Sequence, residues 1–133
     1  MIVDSSALVA ILRAEPEAPA CAEALARQRP SRISAVNYVE AAVVVESQED
    51  PVARRKFDQL LQRAEIIIEP VTVEQAEIAR AAYRDFGKGS GHPARLNLGD
   101  CFAYALAKAS GEPLLYKGSD FAHTDVPAVP IQS

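Results

Sequence analysis

Two apolar patterns take turns along this chain: short continuous runs, and stripes at helical spacing. Met1-Ile2-Val3 is an apolar run with two β-branched residues, the pattern of a strand buried on both faces. It stops at Asp4, and Ala7-Leu8-Val9-Ala10-Ile11-Leu12 then reads as an apolar helix that Asp4 or Ser5 caps. Glu15-Pro16-Glu17-Ala18-Pro19 ends that helix and opens a second, alanine-rich one at about residues 17–29. Arg32-Ile33-Ser34 is a short second strand. A third helix from about Ala35 to Ser47 carries Ala41-Ala42-Val43-Val44-Val45, apolar on nearly all sides, which predicts a buried helix.

Asp50-Pro51 starts a fourth helix with proline at its first position and Phe57, Leu60 and Leu61 as its stripe. Glu65-Ile66-Ile67-Ile68-Glu69 is the clearest strand, closed by Pro70. Thr72 caps a fifth helix running to about Phe86, with Gln75 placed to complete a capping box. Residues 87–93 form a glycine-rich loop. Its glycines do not make a phosphate loop, because no strand precedes it and no GK[ST] follows. A sixth helix begins at Asn97 or Leu98 and runs to about Ser110, where Gly111 closes it. Leu114-Leu115-Tyr116 is a fourth strand, and Ala128-Val129-Pro130-Ile131 a short edge strand limited by its proline. Strands alternating with helices predict one α/β domain over residues 1–133, with a parallel sheet of four to five short strands between helical layers.

Size and composition narrow the class without naming it. A chain of 133 residues, 49% apolar and 24% charged, is an ordinary globular domain. No apolar run reaches a membrane span, and a strand begins at residue 2 where a leader would stand, so the expected location is cytoplasmic. Cys21 and Cys101 are too few for a disulfide framework and lack metal-ligand spacing, so both read as core residues. The net charge of −4 argues against non-specific nucleic-acid binding, but the charge is uneven. Residues 80–95 hold Arg80, Arg84, Lys88 and Arg95 against Asp85 alone. That basic segment ends five residues before Asp100, so Arg84, Lys88 and Arg95 are candidates for holding a phosphate backbone.

The acids carry the chemistry. Ligand sites in open α/β sheets lie at the carboxyl ends of the strands, where the following helices also begin. Asp4 and Asp120 sit beyond strand ends; Glu40 and Asp100 sit near helix starts. All four therefore reach one edge of the sheet. Asn37, three residues before Glu40, shares its helix face, and Gly99 removes a side chain where something approaches the backbone. Asp4 alone is equally well read as a helix cap, and four separate caps and surface acids are the plain alternative for the set. Gathered together the carboxylates repel, and a hard divalent cation relieves that repulsion. All-oxygen ligands without a His/Cys set point to Mg²⁺ or Mn²⁺, with Asp4 and Asp100 as its holders. A metal on a few carboxylates suits phosphoryl chemistry.

Four blocks in order, Asp4-Ser5-Ser6-Ala7-Leu8, Asn37-Tyr38-Val39-Glu40, Leu96-Asn97-Leu98-Gly99-Asp100 and Lys117-Gly118-Ser119-Asp120-Phe121, resemble a PIN-domain ribonuclease. The likeness is greatest to the VapC toxins of type II toxin–antitoxin modules and spans essentially the whole chain. It implies a three-layer α/β/α fold, Mg²⁺- or Mn²⁺-dependent RNA cleavage, homodimers, and inhibition by a VapB-type antitoxin. It also implies that Asp4, Glu40 and Asp100 are the acidic triad and Ser6 the hydroxyl near the metal. Many relatives place the fourth acid earlier in the turn, where this chain has Gly118; Asp120 or Asp125 takes that role here.

Other classes fit less well. A receiver-type phospho-acceptor domain needs adjacent acids after the first strand and an aspartate after a middle one, where this chain offers only Glu69. A haloacid-dehalogenase-like phosphatase needs Asp-x-Asp, and Ser6 occupies the second position. A Ser-His-Asp hydrolase would show a Gly-x-Ser-x-Gly elbow. His92 and His123 stand isolated in polar sequence. A non-catalytic PIN-like RNA-binding module would keep the fold and lose the acids that are present here.

Overall fold

The computed structural model describes residues 1–131. Four strands are present: β1 (Ile2–Val3), β2 (Ser31–Ser34), β3 (Ile66–Glu69) and β4 (Leu114–Leu115). They form one sheet in the order β3-β2-β1-β4, with every neighbouring pair parallel. The helices are α1 (Ser5–Leu12), α2 (Ala18–Arg27), α3 (Ala35–Glu46), α4 (Pro51–Arg63), α5 (Val73–Phe86) and α6 (Leu98–Ser110). A 3-10 helix, Asp120–His123, follows β4.

Alternation along the central strands sorts the core into two halves. Met1, Val3, Ile33, Ile66 and Leu115 pack with Leu8, Leu25, Ala41 and Phe57 of α1 to α4. Ile2 and Leu114 face the other way, onto Ala79 and Ala82 of α5 and onto Ala103 and Leu106 of α6. β1 and β4 are buried on both faces, which is why each reads as a bare apolar run. The result is the three-layer α/β/α arrangement. The strand order reverses direction between β1 and β4, so the switch point of the sheet lies where those two strands end.

Three expectations are corrected. α3 is not buried on nearly all sides: Asn37, Ala41 and Val45 form its one buried stripe, while Val39 and Val43 are 54% and 59% exposed. Residues spaced by four share a face, so burial of 37, 41 and 45 turns 39 and 43 outward. Thr72 Oγ1 accepts the Gln75 N–H at 3.1 Å, but among the described residues Gln75 returns no bond, because its side chain turns into the interior. Residues 128–131 form no fifth strand. Ala128 makes a single parallel bridge to Leu114, and Pro127 and Pro130 lack the N–H groups needed to extend a ladder.

Candidate active site

β1 delivers Asp4 to the switch point. Its backbone N–H donates to Leu115 O at 2.9 Å, and its Oδ2 accepts the Ser6 N–H at 3.0 Å as the N-cap of α1. Asp4 is 3% exposed, and its Oδ1 is buried with no hydrogen-bond partner among the described residues. Burial pushes this carboxyl up to about 7; hydrogen bonding with Ser6 opposes that rise, and the charges of Asp100 and Glu40 add to it.

Asp100 lies in the first turn of α6, whose N-cap is Asn97. Asn97 Oδ1 accepts the Asp100 N–H at 2.8 Å while Asp100 Oδ2 accepts the Asn97 N–H at 3.0 Å, a complete capping box. Burial pushes this carboxyl up to about 6. The Asn97 bond opposes the rise, Asp120 and Glu40 reinforce it, and the Lys88 ammonium draws it back down.

Glu40 arrives from the second turn of α3. Its Oε1 accepts Asn37 Nδ2 at 2.8 Å and Ser5 Oγ at 3.1 Å. The same Asn37 amide donates to Gly99 O at 2.9 Å, so one fully buried side chain ties α3 to the start of α6. Ser5 reads from sequence as a candidate helix cap, and its bond to Glu40 is a contact that local sequence does not show. The only signal for that contact is the place of Ser5 at the first helical position after Asp4, one turn-start away from the same edge.

The remaining predicted residues sort themselves by contact. Asp120 is exposed at the start of the 3-10 helix, and its charge bears on Asp100. Asp125 is committed elsewhere, accepting Tyr104 Oη at 2.6 Å and Lys108 Nζ at 2.9 Å. Ser6 Oγ accepts the Lys117 N–H at 3.0 Å, pinning the loop that carries Asp120 to α1. Lys88 bears on Asp100, and Arg95 is exposed beside Gly89, Gly91, His92 and Pro93. The base of that loop is fixed by Lys88 N–H to Leu96 O at 3.0 Å and Leu96 N–H to Phe86 O at 2.8 Å. The exposed Arg84 guanidinium is paired with Asp85 at 3.0 Å. Cys101 is buried, and burial pushes its thiol up to about 11, with Asp100 adding to the shift, so it is a core residue and no nucleophile. Cys21 is likewise buried. His92 Nδ1 accepts the Ala94 N–H, and its ring packs edge-on against Phe86.

Beside the carboxylates runs a trench of about 920 Å³. Asp4, Glu40 and Asp100 line it together with Val9, Val36, Val39 and Val43. Among the described residues, no three His, Cys, Asp or Glu side chains close into a ready-made metal cage. The donors fit a cation all the same. Asp4 and Asp100 each use Oδ2 for a helix cap, and Asp4 Oδ1 is left buried and unpartnered. Magnesium is commonly held by one or two carboxylates with waters completing its shell.

Comparison with known proteins identifies the family. The PIN domain family model matches residues 1–127. Ribonuclease VapC28 of Mycobacterium tuberculosis is 58% identical over 126 residues, which span 95% of each chain. Among solved structures, the sarcin–ricin-loop-cleaving toxin VapC20 of M. tuberculosis superposes with a TM-score of 0.74 at 17% identity, covering 96% of this chain and 97% of that one. A toxin–antitoxin complex from Klebsiella pneumoniae gives a TM-score of 0.67 at 21% identity, covering 91% and 89%. The chain belongs to the PIN-domain family and, within it, to the VapC ribonucleases.

Proposed function

We propose that the protein is the toxic endoribonuclease of a toxin–antitoxin pair, hydrolysing RNA phosphodiester bonds with Mg²⁺ or Mn²⁺ at the Asp4–Glu40–Asp100 cluster. The observation that carries this reading is the convergence of three carboxylates at the switch point, with Asp4 Oδ1 buried and unpartnered. Asp4 and Asp100 would hold the ion through the oxygens their caps leave over. When bound, the ion supplies charge neutralisation at the phosphate and acidifies water. Glu40, fixed by Asn37 and Ser5, orients the attacking water and takes its proton. Asp120 adds a further carboxylate from the loop that Ser6 anchors. Lys88 and Arg95 hold the RNA backbone on the approach to Asp100. Incubation of total RNA with Mg²⁺, and with chelator instead, followed by mapping of the new ends, tests the reading. Discrete cuts that need the metal are expected; cuts indifferent to chelation would overturn it.

A VapB-type antitoxin fits the same site. An apolar trench beside a nuclease centre is poorly suited to a charged RNA backbone and well suited to the apolar side chains of a peptide. A basic residue of that peptide would meet the carboxylates. Val43→Lys, which leaves the buried stripe of α3 untouched, should weaken antitoxin binding; unchanged affinity would place the antitoxin elsewhere. The protein acts in the cytoplasm, where its RNA substrate is. Among the described residues no helix is long and apolar enough to cross a membrane. It works as a homodimer, and light scattering should give twice the 14.3 kDa chain mass; a species of single-chain mass would refute that.

A further inference from the structure

Gly99 stands where a side chain cannot. A Cβ built there would lie 1.9 Å from Glu40 Oε2, 2.2 Å from Cδ and 2.4 Å from Oε1. The whole carboxylate thus rests against the bare backbone at the second position of α6. On the other side Asn37 divides its amide between Glu40 Oε1 at 2.8 Å and Gly99 O at 2.9 Å. The amide therefore measures the gap between the two helices as well as holding the acid. Ser5 Oγ donates to the same Oε1 at 3.1 Å.

We propose that Gly99 is a positioning residue. Together with Asn37 it forms a bracket that fixes the Glu40 carboxylate against the start of α6, and any side chain at 99 disables the site by displacing Glu40 while leaving the fold in place. A carboxylate is the movable end of a flexible side chain, so an added methyl at 99 would swing it out of the bracket before it shifted backbone. Swinging out breaks the bonds to Asn37 and Ser5 and leaves the fully buried Asn37 amide short of a partner. Displacements of about 1 Å at a reacting group cost on the order of 100-fold in rate. The catalytic half of the inference rests on the role of Glu40 proposed above; the structural half does not.

The two halves are separated by a double-mutant cycle on Gly99→Ala and Glu40→Ala, read by melting temperature and by RNA cleavage. In the wild-type background Gly99→Ala should lower Tm by a few degrees and cut the rate on the order of 100-fold, chiefly through kcat. In the Glu40→Ala background the space is vacant, so the same substitution should be neutral or raise Tm, because alanine is the better helix former. It should also cost no further activity there. The shape-conserving Asn37→Asp, which removes the amide donors, should reproduce the kcat loss. An equal Tm loss from Gly99→Ala in both backgrounds would overturn the bracket. Reversed Tm effects with Gly99→Ala fully active and Glu40→Ala inactive would overturn the positioning role. Full activity in Glu40→Ala itself would refute the reading of the site and the positioning role with it, and the melting data would still judge the bracket.

Discussion

Asp4 and Asp100 each hold a carboxylate at the start of a helix, Asp4 as the N-cap of α1 and Asp100 as the third residue of α6. Each spends Oδ2 on a backbone N–H at 3.0 Å, from Ser6 and Asn97 respectively; burial raises the pKa of Asp4, and the charge of Asp100 adds to the rise. Capping and the proposed metal binding are therefore compatible roles for these residues. Capping fixes each carboxyl group's direction with one oxygen, and the cost of holding two acids together out of water falls on the other.

That cost sets a pH dependence. Both acids have folded-state pKa values above the ordinary 3.8, so protonation favours the fold and ionisation works against it. Their contribution to stability is complete below 3.8 and is lost as pH rises to about 7 for Asp4 and about 6 for Asp100. In chelator, Asp4→Asn should gain in Tm over the wild type as pH rises through that window, and saturating Mg²⁺ should raise the wild type more than the variant. Parallel Tm profiles for the two proteins would contradict the buried-acid account.

Asp120 and Asp125 should separate cleanly. Asp120→Asn removes charge that bears on Asp100 and should lower cleavage with little change in Tm. Asp125→Asn weakens the pairing with Tyr104 and Lys108, costing about 1 kcal/mol of stability while cleavage holds. Cleavage kinetics and melts on the two variants decide it, and loss of activity in Asp125→Asn alone would reverse the assignment.

The basic loop makes a salt-dependent prediction. Replacing Lys88 and Arg95 by alanine should weaken binding of single-stranded RNA and flatten the slope of log K against log salt by roughly one. Arg84→Ala should leave the slope unchanged, because that guanidinium is already paired with Asp85. Binding isotherms at several salt concentrations are the measurement. An unchanged slope in the double variant would make the loop an ordinary solvated one.

How far the sequence could be read depended on whether local pattern and tertiary environment agreed. The strands at Ile2–Val3 and Leu114–Leu115 were legible because burial on both faces leaves an unbroken apolar run. Gathering Asp4, Glu40 and Asp100 at one edge needed only the parallel topology, and pairing Asn37 with Glu40 only helical spacing. The exposed face of α3 was not legible. Val39 and Val43 are as apolar as Val45, and only the direction of the sheet decides which stripe is buried. Gly99 was legible as a place of close approach, but what approaches it comes from α3, beyond the reach of local sequence. The pairings of Asp125 and Arg84 were not legible for a similar reason. Their partners, Tyr104 and Lys108 for one and Asp85 for the other, are matters of side-chain geometry.

The central claim is that Asp4, Glu40 and Asp100 work as one metal-dependent centre. Rates of Mg²⁺-dependent cleavage of a defined RNA by Asp4→Asn, Glu40→Gln and Asp100→Asn, each checked for wild-type circular dichroism, test it most directly. Each variant should lose roughly 100-fold or more, and the double variants should lose little beyond the singles, because the three act as a unit. Folded single variants that cleave at the wild-type rate would contradict the claim.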